Sequence, residues 1–150
     1  MKLDAFEEDR SARSCLTVGS VLYIEGPTTS SIAMQRHEGV EDAKARSVQI
    51  TVLRSKWSEE SACQSAGTWL RLATSRAEKF DLVAGQTHEL ALGARKASQN
   101  VDNEAQRKRW LEVPFVGVGI ASHVKPLVEG RVLTAAVITS VTTDFALAVR

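Results

Sequence analysis

The sequence predicts a mainly β protein: a single antiparallel β-sandwich domain over residues 1–150, with one or two short helical segments. Three observations predict it. Apolar residues alternate with a period of two wherever a pattern exists. The candidate strands are short and recur at spacings of roughly 8–20 residues between turn signals, which suits a sandwich better than βαβ units. A chain of 150 residues is one domain in size, and no repeat, low-complexity tract or linker divides it.

In chain order, Asp4 to Arg13 carries acids early and bases late, as one or two helical turns would. Thr17 to Ile24 and Ser31 to Gln35 form a first pair of strands, punctuated by Gly26 and Pro27. In Ser47 to Val52, the β-branched Val48, Ile50 and Val52 share one face. Ser58-Glu59-Glu60-Ser61 starts a short helix, and Gly67 opens a strand over Thr68 to Ala73. Phe80 and Leu82 lead into a turn at Ala84-Gly85-Gln86. A returning strand then carries His88, Leu90 and Leu92 on one face, so the segment reads as a hairpin. Ser98 to Trp110 has too few apolar positions for a core-facing helix and reads as a long connection with a helical turn. Val116, Val118 and Ile120 alternate with Gly117, Gly119 and Ala121, leaving a bare face that marks the close approach of another backbone or sheet. Arg131 to Thr139, a turn at Thr142-Thr143-Asp144, and Phe145 to Val149 complete the strands.

Charge and composition exclude several classes. Nineteen Lys and Arg against 18 Asp and Glu give a net charge of +1, which argues against a general nucleic-acid binder. The basic triplet Arg107-Lys108-Arg109 beside Trp110 reads as solvated surface. With 43% hydrophobic and 25% charged residues the chain is not disordered. Cys15 and Cys63 have neither metal nor redox spacing, which favours a reducing, cytoplasmic setting, with a single Cys15–Cys63 disulfide left open. The N-terminus is charged where a signal peptide needs an apolar region, and no run approaches the ~18 apolar residues of a membrane span. A soluble protein without a membrane span is expected.

Catalytic and cofactor motifs are absent. There is no Gly-x-Ser-x-Gly elbow, phosphate-binding loop or zinc-protease helix. Gly117-Val118-Gly119 begins like a dinucleotide fingerprint, but Ser122 stands where the third glycine belongs. His37, His88 and His123 are scattered without ligand spacing, so neither metal nor cofactor is expected. Trp57, Trp69 and Trp110 are core residues by default. Trp57, however, follows a strand end and offers a wide apolar face with a polar N–H, as a sugar platform does.

The last third resembles the H-type lectin domain. The resemblance rests on Val113-Pro114-Phe115-Val116-Gly117-Val118-Gly119-Ile120, then Arg131-Val132, then Val141-Thr142-Thr143-Asp144-Phe145-Ala146-Leu147. Where that family carries an aspartate in the loop after the first strand, this chain has Ser122-His123-Val124, and the family's closing Thr-Trp and final strand have no counterpart. The resemblance implies a six-stranded antiparallel sandwich assembled as trimers or hexamers. It also implies N-acetylgalactosamine-type sugars bound at subunit boundaries, with Arg131 at a sugar-contacting position.

The expected function is therefore a non-catalytic binding module, carbohydrate-binding and homo-oligomeric, with Arg131, His123 and Trp57 as ligand-binding residues. The alternative is a structural or assembly protein, such as a coat or scaffold subunit, without a small-molecule ligand. The bare faces at Gly117, Gly119 and Ala121 and at Ala146 and Ala148 favour that alternative, since flat faces let a second sheet approach. An enzyme whose residues converge only in three dimensions is the third reading.

Overall fold

A computed structural model describes residues 18–72 and 78–139. Five strands alternate with helices: β1 (Ser20–Glu25), α1 (Ser31–Ala43), β2 (Gln49–Arg54), α2 (Glu59–Leu70), β3 (Leu82–Gly85), α3 (His88–Gln99), α4 (Glu104–Glu112), β4 (Phe115–Gly119), α5 (Ala121–Glu129) and β5 (Ala135–Ile138). They build one sheet in the order β2-β1-β3-β4-β5, and every neighbouring pair is parallel. The protein is thus an α/β fold, and the expected antiparallel β-sandwich is overturned, together with the sandwich that the lectin resemblance implied.

The strand positions were legible; the connections were not. β1, β2, β3, β4 and β5 each overlap a segment read as a strand, and the helix start at Ser58 is the N-cap of α2. The difference lies in the helices: α1, α3, α4, α5 and the end of α2 fall on segments whose pattern reads as strand or connection, and Ser98 to Trp110 is no long connection but holds the end of α3 and most of α4, which buries Trp110. His88, Leu90 and Leu92 do not form a returning strand: Thr87 caps α3, whose buried positions Leu90, Ala91, Ala94 and Ala97 follow the helical period. Ser31 to Gln35 is the start of α1, capped by Ser30. Thr68 onward is the last turn of α2, which buries Ala62, Ala66 and Leu70 four residues apart. Small residues hid these stripes, because alanine and glycine contribute little to an apolar pattern while packing closely against a sheet. The turns at Asp4 to Arg13, residue Cys15, Ala73 and the hairpin through Phe145 to Val149 lie outside the described residues.

The core forms on one face of the sheet. Leu22 and Ile24 of β1, Val83 of β3 and Phe115 of β4 pack against Ala62, Ala66 and Leu70 of α2 and Leu90, Ala91 and Ala94 of α3. Trp69, Phe80 and Trp110 close its far end with ring centroids 5.5–5.9 Å apart, the tilted and edge-on packing that aromatic quadrupoles favour. On the other face Tyr23 meets the His37 ring of α1 at 6.5 Å. Helix α1 buries only Ala33 among its apolar residues, so polar ties hold it in place.

Glycines set the closest approaches. A Cβ on Gly93 would strike the Glu59 carbonyl and stand 2.6 Å from the Ala62 methyl, so α2 and α3 cross with no room for one. A Cβ on Gly117 would lie 2.7 Å from the His88 Cα. The bare face of β4 therefore receives the start of α3, not a second sheet. After α5, Arg131 adopts φ 56° and its N–H bonds the Val128 carbonyl at 3.0 Å, while the Val132 N–H bonds that of Leu127 at 2.8 Å. This is a Schellman terminus with arginine in the place usually taken by glycine.

One side chain ties the strand ends together. Gln86, 1% exposed, follows β3. Its Oε1 accepts from the Gly26 N–H at 3.0 Å, and its Nε2 donates to the Ala33 carbonyl at 2.9 Å. Its backbone N–H donates to Ile24, and its carbonyl accepts from the Arg36 guanidinium at 2.6 Å. Gln86→Leu leaves a buried N–H unpaired and is expected to cost roughly 2–4 kcal/mol in urea denaturation. Gly93→Ala is expected to cost about 1–3 kcal/mol in the same measurement, because the added methyl meets backbone. At the opposite end, the Gly19 and Ser20 N–H groups hold the Asp81 carboxyl below its ordinary 3.8. That contribution is complete above 3.8 and fades as pH falls through the depressed value. The stability advantage of the native chain over Asp81→Asn is therefore expected to vanish in strong acid, as read by denaturation at stepped pH.

Candidate functional site

In open parallel sheets a crevice forms outside the carboxyl ends of the strands, where successive connections depart in opposite directions. The order β2-β1-β3-β4-β5 puts that point between β1 and β3: from β1 the chain moves to β2, and from β3 to β4. Helices α1, α2, α3 and α5 all begin at this edge. The Ser30, Ser58 and Thr87 side chains cap the first three by accepting from backbone N–H groups at 3.4, 3.2 and 3.4 Å. Helix α5 starts at Ile120 with no side-chain cap.

The middle of the edge is the Gln86 clamp, which holds the Gly26–Ser30 loop against the end of β3. The Tyr23 phenol lies beneath it, and burial raises its pKa. The nearby Glu25 charge adds to this effect, while a hydrogen bond with Gln86 and the Arg36 charge oppose it. On the β2 side, the buried Glu25 carboxylate meets His37 Nδ1 through Oε1 and Arg54 Nε at 3.7 Å through Oε2. A cavity of about 160 Å³ opens there, lined by Glu25, Gly26, Thr28, Met34, His37 and Arg54. On the β4 side, the His88 and His123 rings stand 5.5 Å apart.

The residues expected to bind ligand divide between the two ends of the sheet. Trp57 follows β2 at the crevice edge, 37% exposed, with its indole against Gly26 so closely that a Cβ there would lie 2.5 Å from the ring. His123 lies in the first turn of α5 at the same edge, on the opposite flank from Trp57. Arg131 follows the C-terminus of α5, at the far end of the sheet, and does not join them. Sequence reasoning missed Gln86, Arg36 and Glu25. The available signal was Gln86-Thr87, a polar pair between an apolar strand and an Ala/Leu-rich segment, which is the pattern of a strand end and a helix cap.

This edge offers directed donors and acceptors, one aromatic face and a small polar cavity, a set suited to a compact polar ligand. A larger groove of about 860 Å³ lies between the ends of α2 and α3 at the other end of the sheet, lined in part by Thr68, Arg71, Asn100 and Gln106. Among the described residues no group of three or more metal-ligating side chains converges, and no helix is long and apolar enough to cross a membrane. Cys63 is half-buried and pairs with no cysteine among the described residues, and Cys15 lies outside them.

No protein-family model matches the chain, and no curated protein sequence matches it. Solved structures do. The periplasmic binding component of the arabinose ABC transporter from Shewanella sp. ANA-3, bound to L-arabinofuranose, superposes with a TM-score of 0.62 at 16% identity, covering 81% of this chain and 39% of that one. An ABC transporter solute-binding protein from Bacillus halodurans C-125 with bound myo-inositol gives 0.60 at 17% identity, covering 77% and 38%. A periplasmic sugar-binding protein from Pseudomonas fluorescens gives 0.59 at 26% identity, covering 78% and 34%. The chain therefore spans well under half the length of the solved proteins it matches, and its parallel α/β fold is that of one portion of them.

Proposed function

We propose that this chain is one lobe of a non-catalytic binding protein for a sugar or polyol, which it contacts at the crevice where β1, β3 and β4 end. The observation that carries this reading is the switch point itself. It is a polar edge pinned by the buried Gln86 clamp, on a fold shared with proteins that hold arabinofuranose and myo-inositol. Hydroxyl-rich ligands need fixed donors and acceptors around an apolar ring face. The Gly26–Ser30 loop, Thr87 and the uncapped first turn of α5 supply the former, and Trp57 supplies the latter. Carbohydrate binding is the part of the lectin expectation that this proposal keeps; Arg131 plays no part in it. The assembly alternative drew on the bare faces at Gly117, Gly119 and Ala121 and at Ala146 and Ala148; His88 and Val124 fill the space beside Gly117 and Gly119, and Ala146 and Ala148 lie outside the described residues.

A proton–nitrogen NMR titration of the chain with L-arabinose, myo-inositol and D-glucose tests the proposal. Saturable shifts are expected at the amides of Gly26 to Ser30, Gln86 to His88 and Ile120 to His123. Shifts confined to Asn100 and Gln106, or none with any of the three ligands, would overturn it.

A further inference from the structure

We propose that His88 and His123 form a two-imidazole site for a borderline divalent cation such as Zn²⁺, Ni²⁺ or Cu²⁺ on the β4 flank of the crevice. Metal binding here does not depend on the sugar reading, and the glycines of β4 make room for it. A Cβ on Gly119 would lie 2.6 Å from His88 Nδ1, and one on Gly117 would lie 2.7 Å from the His88 Cα. Only a strand bare on this face lets the His88 ring settle against it, in the first turn of α3, and meet the ring that the first turn of α5 carries.

The tautomer follows from what surrounds Nδ1. The Val118 carbonyl oxygen stands 3.4 Å away and Glu89 Oε2 3.2 Å away. Both are acceptors, so Nδ1 holds the proton of the neutral ring and the lone pair lies on Nε2. A metal-binding histidine is prepared in the same way, with its second nitrogen donating to a carbonyl or carboxylate that fixes the ring. The His88 side chain is 12% exposed and so held in orientation, while His123 is exposed in the first turn of α5.

The separation fits as well. Two imidazoles bound to one tetrahedral ion through nitrogens at ~2.0–2.1 Å place their ring centroids roughly 5 Å apart. Here the centroids are 5.5 Å apart, with planes inclined at 57°. No third side chain among the described residues joins the pair, so the remaining coordination positions belong to water or to oxygens of a bound molecule. Imidazole as the donor selects zinc, nickel and copper over magnesium or calcium.

Isothermal titration of the chain with zinc chloride and nickel chloride in a non-chelating buffer tests the site. One ion per chain is expected. His88→Gln and His123→Gln should each abolish saturable uptake, whereas His37→Gln and Cys63→Ser should retain it. Uptake that survives His123→Gln, or no uptake by the folded native chain, would overturn the proposal. Should His88→Gln fail to fold, the exposed His123 decides alone, with folding of each variant verified by circular dichroism.

Discussion

The sheet depends on a buried amide satisfying several groups at once. A parallel sheet that sends its connections left from one strand and right from the next leaves loop backbone at the divergence, and buried polar groups there must find partners. Gln86 supplies them: its side chain joins the loop after β1 to the first turn of α1, and its own backbone joins β1 and Arg36. Each of these bonds alone would contribute modestly. Together they fix where β1, α1 and β3 meet, and the crevice is the space left over.

Two flanks of contrasting chemistry border that space. Toward β2, a buried carboxyl group is shared between the His37 imidazole and the Arg54 guanidinium. Toward β4 the floor is a glycine-bare strand beneath two facing imidazoles, with the half-exposed Glu89 carboxylate beside His88. The difference comes from the strands. β1 ends in Glu25, while β4 ends in Gly119, and each end residue decides what the next element can bring close.

How much of this could be read in advance is clearest from particular segments. Val48, Ile50 and Val52 announce a strand because β-branched residues on one face suit a half-buried pleat, and β2 is an edge strand of that kind. Gly117 and Gly119 correctly announce a close approach, though not its author, since a missing Cβ says that backbone is near without saying whose. The helices failed to declare themselves for a shared reason. α2 and α3 bury mainly alanines, and the pairing of Leu90 with Leu92 imitates a strand when read alone. Without them the sequence shows no βαβ connectivity, and alternation alone does not tell parallel strands from antiparallel ones. Trp57 and His123 stand out by residue type and lie at the crevice edge, whereas Gln86-Thr87 marks only a strand end and a helix cap, and the partners of Gln86 and Arg36 lie 50–60 residues away in sequence.

The three tryptophans occupy unlike surroundings. Trp69 and Trp110 are locked into one aromatic cluster at the closed end of the core, while Trp57 lies half in water across Gly26, where two loops meet. Of the three indoles Trp57 is the one at the crevice and 37% exposed, while Trp110 is 2% exposed. A molecule that settles beside Gly26 would change the surroundings of Trp57 and leave those of Trp110 as they are, so the chain carries its own optical gauge of events at the crevice rim.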